Sequence, residues 1–430
     1  QNLIPRIRPW FPARRERNAL GPPTMRAMDT PAGPQRSQAP QPARHEALPH
    51  ALRQALCEAA PPLHDAAGRR IAADAWARWP IEPLGDRGLA HQHLRLPGTG
   101  ALARIPKQSQ MRLAAADNLR YQAACFARAA PGGHVPRLLA QLPAGSALPH
   151  GALLVEEIEG RAARLPHDLG AIMRSLASLH ALPVPDASGA APLLHAADPL
   201  RDLLQEVQAQ LGQMVQQAQP AQHTRLAKDA QAGHGVLAAP SAGVQAVAEE
   251  LQALRLLCQA EARPPRTLIA FDGHPGNFVI RADGRAMLVD LEKCRYSHPG
   301  LDLAHATLYT STTWDVQVCA VLSDDALCDA YAEWERAVPP ALADAARPWH
   351  VPLARAMWLW SLSWCAKWLA LSQRAPGASA DGEDWSADHS DPALIAHVRE
   401  RVVHYLSADG VAGARRGIDA LARWCAVPAA

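Results

Sequence analysis

Charge of one sign is what this chain has least of. Across 430 residues, 43 Lys and Arg against 41 Asp and Glu leave a formal net charge of only +2. Such a chain has no global field to recruit nucleic acid or an anionic membrane, so neither is expected as a partner. Paired cysteines are also missing. The eight Cys are scattered, with no CxxC and no Cys/His metal spacing. That pattern reads as a reduced, intracellular, cytoplasmic protein rather than a disulfide framework. No stretch is long and apolar enough to span a membrane. The most hydrophobic one, Ala356 to Leu371, has eleven uncharged residues between Arg355 and Lys367, where a span needs about 20. No signal peptide is evident over the first residues, and no convincing internal repeat is found.

What is present divides the chain. Residues 1–48 are rich in Arg and Pro, poor in acids and without apolar periodicity, and are expected to be a disordered leader. A basic, acid-poor leader is also the composition of a targeting segment. Met25 and Met28 lie within it, so the native start is an open point at this stage. Residues 49–155 read as a small β-rich lobe. Amphipathic helices are expected over Ala51–Ala60 and Ala66–Trp79. Strands follow around Ile81–Leu84, His91–Leu96 and Ala101–Pro106, separated by turns containing Gly. A helix is expected over Ala114–Ala130, with Leu119, Ala123 and Phe126 on one face, then strands over Val135–Leu139 and Gly151–Val155. Glu156 to Gly160 reads as a hinge. Residues 156–430 read as a larger, mostly helical lobe with a flexible insertion at about 218–245. The expected class is α+β.

The strongest local feature is Phe271-Asp272-Gly273-His274-Pro275-Gly276-Asn277, followed by Leu288-Val289-Asp290-Leu291-Glu292. Asp272 and Asn277 are five residues apart on a loop, and Asp290 comes eighteen after Asp272. Between them lies a short hairpin with Asp283-Gly284 at its tip. Because its strands return to one end, Asn277 and Asp290 are brought to one spot. Asn277 offers a neutral carbonyl oxygen and Asp290 a charged one, donors suited to Mg²⁺. Asp272 is the candidate carboxylate facing an acceptor hydroxyl. Phosphoryl transfer needs just these parts: neutralised charge, in-line alignment and an oriented acceptor. As ordinary turn residues, Asp, Asn and Asp would carry little weight singly; it is their order around two apolar strands that points to a nucleotide–metal site.

Ala270–Ile280 resembles the catalytic loop of the aminoglycoside phosphotransferase and choline kinase-like family. Val289–Glu292 is similar to its metal-binding strand end, and Ser297–Ala304 to the segment that follows. The likeness runs more weakly over Ser175–Pro183 and Leu102–Pro106, and covers about Ile81 to Ala304. It implies a protein-kinase-like bilobal fold and an ATP-dependent, Mg²⁺-dependent phosphotransferase acting on a small-molecule hydroxyl. It implies ATP and Mg²⁺ as cofactors, and a nucleotide and a small-molecule acceptor as partners. Asp302 would then buttress the loop. Arg104 would contact phosphate from the strand expected over Ala101–Pro106, with Lys107 as the other candidate. From a regular strand the two would point to opposite faces.

The sequence departs from the family pattern in three places. Ala270 stands where a supporting His is usual. Gln122 stands where an acid usually pairs with the basic β3 residue, so a neutral amide would hydrogen-bond Arg104 without neutralising it. Gly85-Asp86-Arg87-Gly88 makes a sparse phosphate loop. Gly85 and Gly88 would let backbone N–H groups approach phosphate, and a plain turn accounts for them equally well. These departures keep a second function in view, a non-catalytic nucleotide-binding module. A protein substrate is disfavoured, because no Ala-Pro-Glu landmark follows and little chain separates Asp290 from Asp302. His274 reads as a support for its own loop ahead of a metal ligand, Glu292 as an aid to Asp290 or a cap, and Lys293 and Arg295 as solvated charge by default, with phosphate contact as the other reading. Trp360, Trp364 and Trp368 recur every four residues. They mark a buried helix first, and an aromatic wall for a cationic substrate second. The acids of the loop Asp381–Asp384 would attract such a substrate. Acceptor identity, ATP-versus-GTP preference and oligomeric state are not legible.

Overall fold

In the computed structural model, residues 42–85, 89–107, 109, 111–213, 241–372 and 390–427 are described. The expected leader up to residue 41, most of the expected insertion and the loop Asp381–Asp384 lie outside them. Residues Arg44–Ala430 form one compact unit.

Helix α1 (Pro42–Ala59) opens the small lobe. The helix expected over Ala66–Trp79 is absent; only a 3-10 turn, Ala73–Arg78, forms there. Gly68 sits at φ 76°, a left-handed conformation that interrupts any helix. Five strands make an antiparallel sheet: β1 (Glu82–Pro83), β2 (His91–Leu96), β3 (Ala101–Pro106), β4 (Leu138–Leu142) and β5 (Ala152–Glu156), in the order β1-β2-β3-β5-β4. Helix α2 (Ala115–Ala129) lies between β3 and β4. The strand expected from Val135 starts three residues late, after Pro136, which lacks an N–H for a ladder.

Alternation sorts the sheet into two faces. Leu94, Leu96, Ala101, Ala103 and Leu154 pack with Leu52, Leu56 and Trp76 into a small core under α1. The opposite face carries His91, His93 and Arg104, for His93 pairs with Arg104 and His91 with Pro106. This face looks toward the large lobe.

After Glu156 the chain crosses at Gly160. A Cβ there would meet the carbonyl oxygen of Ile280 at 2.4 Å, so only glycine passes. Strand β6 (Arg161–Ala162) leads to α3 (Leu169–His180), the short α4 (Ala187–Ala190), α5 (residues 199–213) and α6 (Ala242–Gln259). Four short strands follow: β7 (Thr267–Ile269), β8 (Phe278–Ile280), β9 (Ala286–Leu288) and β10 (Arg295–Ser297). The expected hairpin is β8–β9, joined to β6; β7 pairs separately with β10. The rest is helical: α7 (Pro299–Thr307), α8 (Tyr309–Thr312), α9 (Asp324–Ala337), α10 (Pro340–Ala346), α11 (His350–Leu371), α12 (Pro392–Tyr405) and α13 (Ala408–Cys425). Helix α11 is the buried axis of the large lobe, with Trp358, Trp360 and Trp368 all inside. The architecture is therefore α+β and bilobal, of the protein-kinase-like kind. Among the described residues no helix is long and apolar enough to cross a membrane.

Candidate active site

The loop between β7 and β8 is held from beneath by Asp302, fully buried in the first turn of α7. Its carboxylate accepts the backbone N–H of Ala270 (2.7 Å) and of Phe271 (2.8 Å). It also accepts Nε2–H of His180 at 3.1 Å, whose Nδ1 in turn accepts the indole N–H of Trp334 at 2.8 Å. Asp302 thus occupies the buttressing place that the resemblance implied. The support missing at Ala270 comes from His180 on α3, a residue the sequence reading left without a role. Phe271 pays a conformational cost here: its φ is +61°, left-handed and unusual for a bulky residue. Its ring is clamped edge-on by Trp360 at 5.2 Å and covered by the Arg295 guanidinium at 3.7 Å.

Asp272 emerges from this turn half-buried. Oδ2 accepts the Lys293 ammonium at 2.7 Å, while Oδ1 has His305 Nδ1 at 3.8 Å, beyond hydrogen-bond reach. Burial pushes the Asp272 carboxyl up, but Lys293, His274 and His305 outweigh it and hold it below the ordinary value. Burial pulls the Lys293 amine down, and Asp272 and Glu292 more than restore its charge. Burial lowers the His305 pKa to about 4. Lys293 is therefore not the solvated charge expected from sequence. Pairing of β7 with β10 sets Ile269 opposite Arg295, so the residues beyond the ladder, Asp272 and Lys293, meet. Lys293 also lies 5.9 Å from the Trp360 ring, so the cation on that indole is the chain's own. Arg295 is likewise buried, paired with Glu206 at 3.0 Å.

The remaining loop residues are placed by the hairpin. Val289 N–H bonds Asn277 C=O (2.9 Å), extending the β8–β9 ladder toward Asp290. Asn277 donates its amide N–H to the Asp272 carbonyl at 2.8 Å, which leaves its side-chain oxygen as the outward donor. His274 Nδ1 accepts the Gly276 N–H at 3.2 Å, a support for its own loop. Asp290 accepts the Arg104 guanidinium at 2.7 Å; Arg104 also donates to the Val289 carbonyl. Burial would raise the Asp290 carboxyl, but Arg104 and then His91 hold it well below the carboxylate range.

Gln122 does not reach Arg104. Its Oε1 instead accepts His91 Nε2–H at 3.0 Å, and His91 Nδ1 faces the Arg104 Nη2 at 3.5 Å. The imidazole stands between them because His91, one residue into β2, shares the cleft face with Arg104. The neutralising partner of Arg104 is Asp290 itself. Lys107 lies one residue past the end of β3, so strand alternation no longer governs it; its Nζ reaches Ser390 Oγ at 3.3 Å. Gly85 is exposed with open space around it. Gly88 lies outside the described residues. Glu292 is buried, and burial followed by Asp290 raises its carboxyl to about 8. Sequence reasoning gave no part to His91, His305 or Trp360's contact with Lys293; the one usable signal for His91 was a polar His-Gln-His start to a strand.

Residues 94–339, more than half of the chain, match the model of the phosphotransferase enzyme family. No protein among the curated ones matches. Several solved structures do. A choline/ethanolamine kinase family protein from Mesorhizobium loti is 16% identical, covering 82% of this chain and 95% of that one, with a TM-score of 0.46. A Plasmodium vivax ethanolamine kinase is 11% identical over 81% of this chain and 86% of its own, at a TM-score of 0.49. An aminoglycoside phosphotransferase from Alicyclobacillus acidocaldarius is 14% identical over 83% and 96%, at 0.45.

Proposed function

We propose, from the premise that this chain belongs to the phosphotransferase enzyme family, that it moves the γ-phosphoryl group of ATP to a hydroxyl of a small-molecule acceptor. The observation that carries this reading is the state of Asp272. It is ionised, one oxygen is fixed by Lys293, and the other is out of hydrogen-bond reach of any group paired with it. That second oxygen is the one to receive the acceptor's proton. As the proton passes to Oδ1 of Asp272, the acceptor oxygen bonds to the γ-phosphorus. The bond from phosphorus to the β–γ bridging oxygen breaks, and ADP leaves.

Asn277 and Asp290 would hold Mg²⁺. The donor set fits a hard cation: a free amide oxygen and a carboxylate kept ionised. Held there, such a cation would offset the charge of the phosphates. Arg104, already lying against Asp290, would carry positive charge to the phosphates, with Lys107 beside the same cleft. Gln122 would act through His91, fixing its ring. Backbone N–H groups around Gly85 and Gly88 would cover the nucleotide. Residues 49–155 would thus form the nucleotide lid, and 156–430 the catalytic lobe.

The test is ADP formation from MgATP across a panel of hydroxyl acceptors. Asp272→Ala should lose about 10²–10⁴-fold in turnover while still binding nucleotide. Wild-type turnover in that variant would refute the assignment. A non-catalytic nucleotide-binding module is the second reading. It is favoured by one feature, the closure of Asp290 by Arg104. It would be supported if MgATP raised the melting temperature yet no acceptor in the panel yielded ADP.

A further inference from the structure

His91, Asp290 and Glu292 each bring one potential ligand atom within 4.8 Å of the others. Two of these side chains are almost completely enclosed: His91 is 2% exposed and Glu292 4%. They come from opposite sides of the cleft, His91 from the start of β2 and the two acids from the segment after β9. The protonation of the ring is fixed. The Gln122 Oε1 can only accept, so His91 Nε2 carries the hydrogen. The Arg104 guanidinium can only donate, so Nδ1 carries the lone pair. That lone pair also faces Glu292 Oε2 at 3.7 Å, beyond hydrogen-bond reach. Holding one ring nitrogen by a hydrogen bond so that the other is free to ligate is how metal-bound histidines are oriented.

Two further observations bear on what this cluster can hold. Glu292 Oε1 is buried with no hydrogen-bond partner, a state that costs about 1–3 kcal/mol. And the group facing Asp290 and His91 together, Arg104 Nη2, is itself a cation, at 2.7 Å from one and 3.5 Å from the other. Ligands of one divalent ion at roughly 2.1 Å lie about 3 Å apart when adjacent and about 4.2 Å apart when opposed. The three ligand atoms, all within 4.8 Å of one another, lie near that range, and the Arg104 guanidinium now stands between Asp290 and His91.

We propose that His91 and Glu292 join Asp290 as direct ligands of the divalent cation that accompanies the nucleotide. The Arg104 guanidinium gives up its place to that ion and turns to the phosphates. An imidazole in the ligand set favours a transition-metal ion, with Mn²⁺ as the probe, over Mg²⁺, which prefers oxygen alone. This rests on the metal role given to Asp290 above, and goes beyond it in naming the ligands and the metal preference.

The experiment is pulsed electron paramagnetic resonance of the full chain, labelled with ¹⁵N-histidine and loaded with Mn²⁺ and ADP. The label separates imidazole nitrogen from adenine nitrogen. The expected result is a ¹⁵N coupling of a directly bound imidazole, absent in His91→Gln. Calorimetry should show that His91→Gln and Glu292→Gln each weaken Mn²⁺ binding by at least ~10-fold and narrow the Mn²⁺/Mg²⁺ preference. The wild-type spectrum needs no variant, so a folding defect in His91→Gln does not blunt the test. Binding that depends on Asp290, shown with Asp290→Asn, but without the ¹⁵N coupling would overturn this inference and leave the proposed function standing. Binding unchanged in Asp290→Asn, or no Mn²⁺–ADP binding at all, would instead overturn the metal assignment on which both rest.

Discussion

The Asp272 loop with its supports and the cleft face of the β2–β3 hairpin meet at Asp290, and they hold their charges in different ways. On the loop side, every key group is satisfied from within the large lobe. Asp272 has Lys293, Asn277 has the Asp272 carbonyl, and Asp302 has two backbone N–H groups and His180. On the sheet side, Arg104 finds its carboxylate partner across the cleft in Asp290, with the Val289 carbonyl beside it, 186 and 185 residues away in sequence. The loop is preformed. Its left-handed Phe271, a conformation costing of order 1–3 kcal/mol, persists because the surroundings over-determine it. The sheet side is poised instead, since Arg104 holds Asp290 and cannot also hold a phosphate at that spot. On the proposed function, nucleotide binding rearranges the Arg104 wall and leaves the loop wall alone.

The comparison breaks most easily at Asp302. Asp302→Ala strips a buried anion from two N–H groups and an imidazole, and should cost about 3–5 kcal/mol in urea unfolding. Turnover should fall with it, and a variant as stable as wild type would mean the loop is not preformed by this residue. Arg104→Met should leave the loop side intact but weaken ATP binding by about 2–3 kcal/mol, roughly 30–150-fold, as read by calorimetry. An unchanged affinity would show that Arg104 stays on Asp290 when nucleotide is bound. Lys293→Met should lower turnover by around tenfold with little effect on the KM for ATP, and Lys293→Arg should recover part of it. Equal effects on both parameters would place Lys293 on the nucleotide rather than on Asp272.

The smallest effect serves as a control outside the cleft. Arg161 binds Asp168 through both guanidinium nitrogens, and that pairing holds the Asp168 carboxyl well below its ordinary value. A depressed carboxyl means the native state binds fewer protons than the unfolded one. The stability it contributes is present above about pH 4 and is lost as pH falls further. With the Arg161 side chain 39% exposed, screening limits the pair to about 0.5–1 kcal/mol. The melting-temperature gap between wild type and Asp168→Asn should be present at pH 7 and shrink below about pH 4. A gap that stays constant would remove the ion pair as its cause.

Much of the loop side was legible because it is local. The order apolar strand, Asp272, Asn277, apolar strand, tight turn, apolar strand, Asp290 needs only one hairpin to bring its parts together, and β8–β9 is that hairpin. Lys293 was misread as solvated because its burial depends on a second pairing, β7 with β10, that no alternation or turn residue announces. Gln122 was expected against Arg104, but one helix turn and one strand residue decide whether an amide touches a guanidinium or an imidazole. The failed helix over Ala66–Trp79 shows that apolar spacing yields to a single left-handed glycine.

By itself the sequence determined the α+β class, the family, the carboxylates and amide of the loop, and Asp302 as its support, since each rests on residues that neighbours in the chain position. Only the tertiary structure decided which cations neutralise those carboxylates. Charge pairing in a buried cleft depends on distances between strands far apart in the sequence: Lys293 reaches Asp272 through a ladder, and His91 and Arg104 reach Asp290 from another lobe.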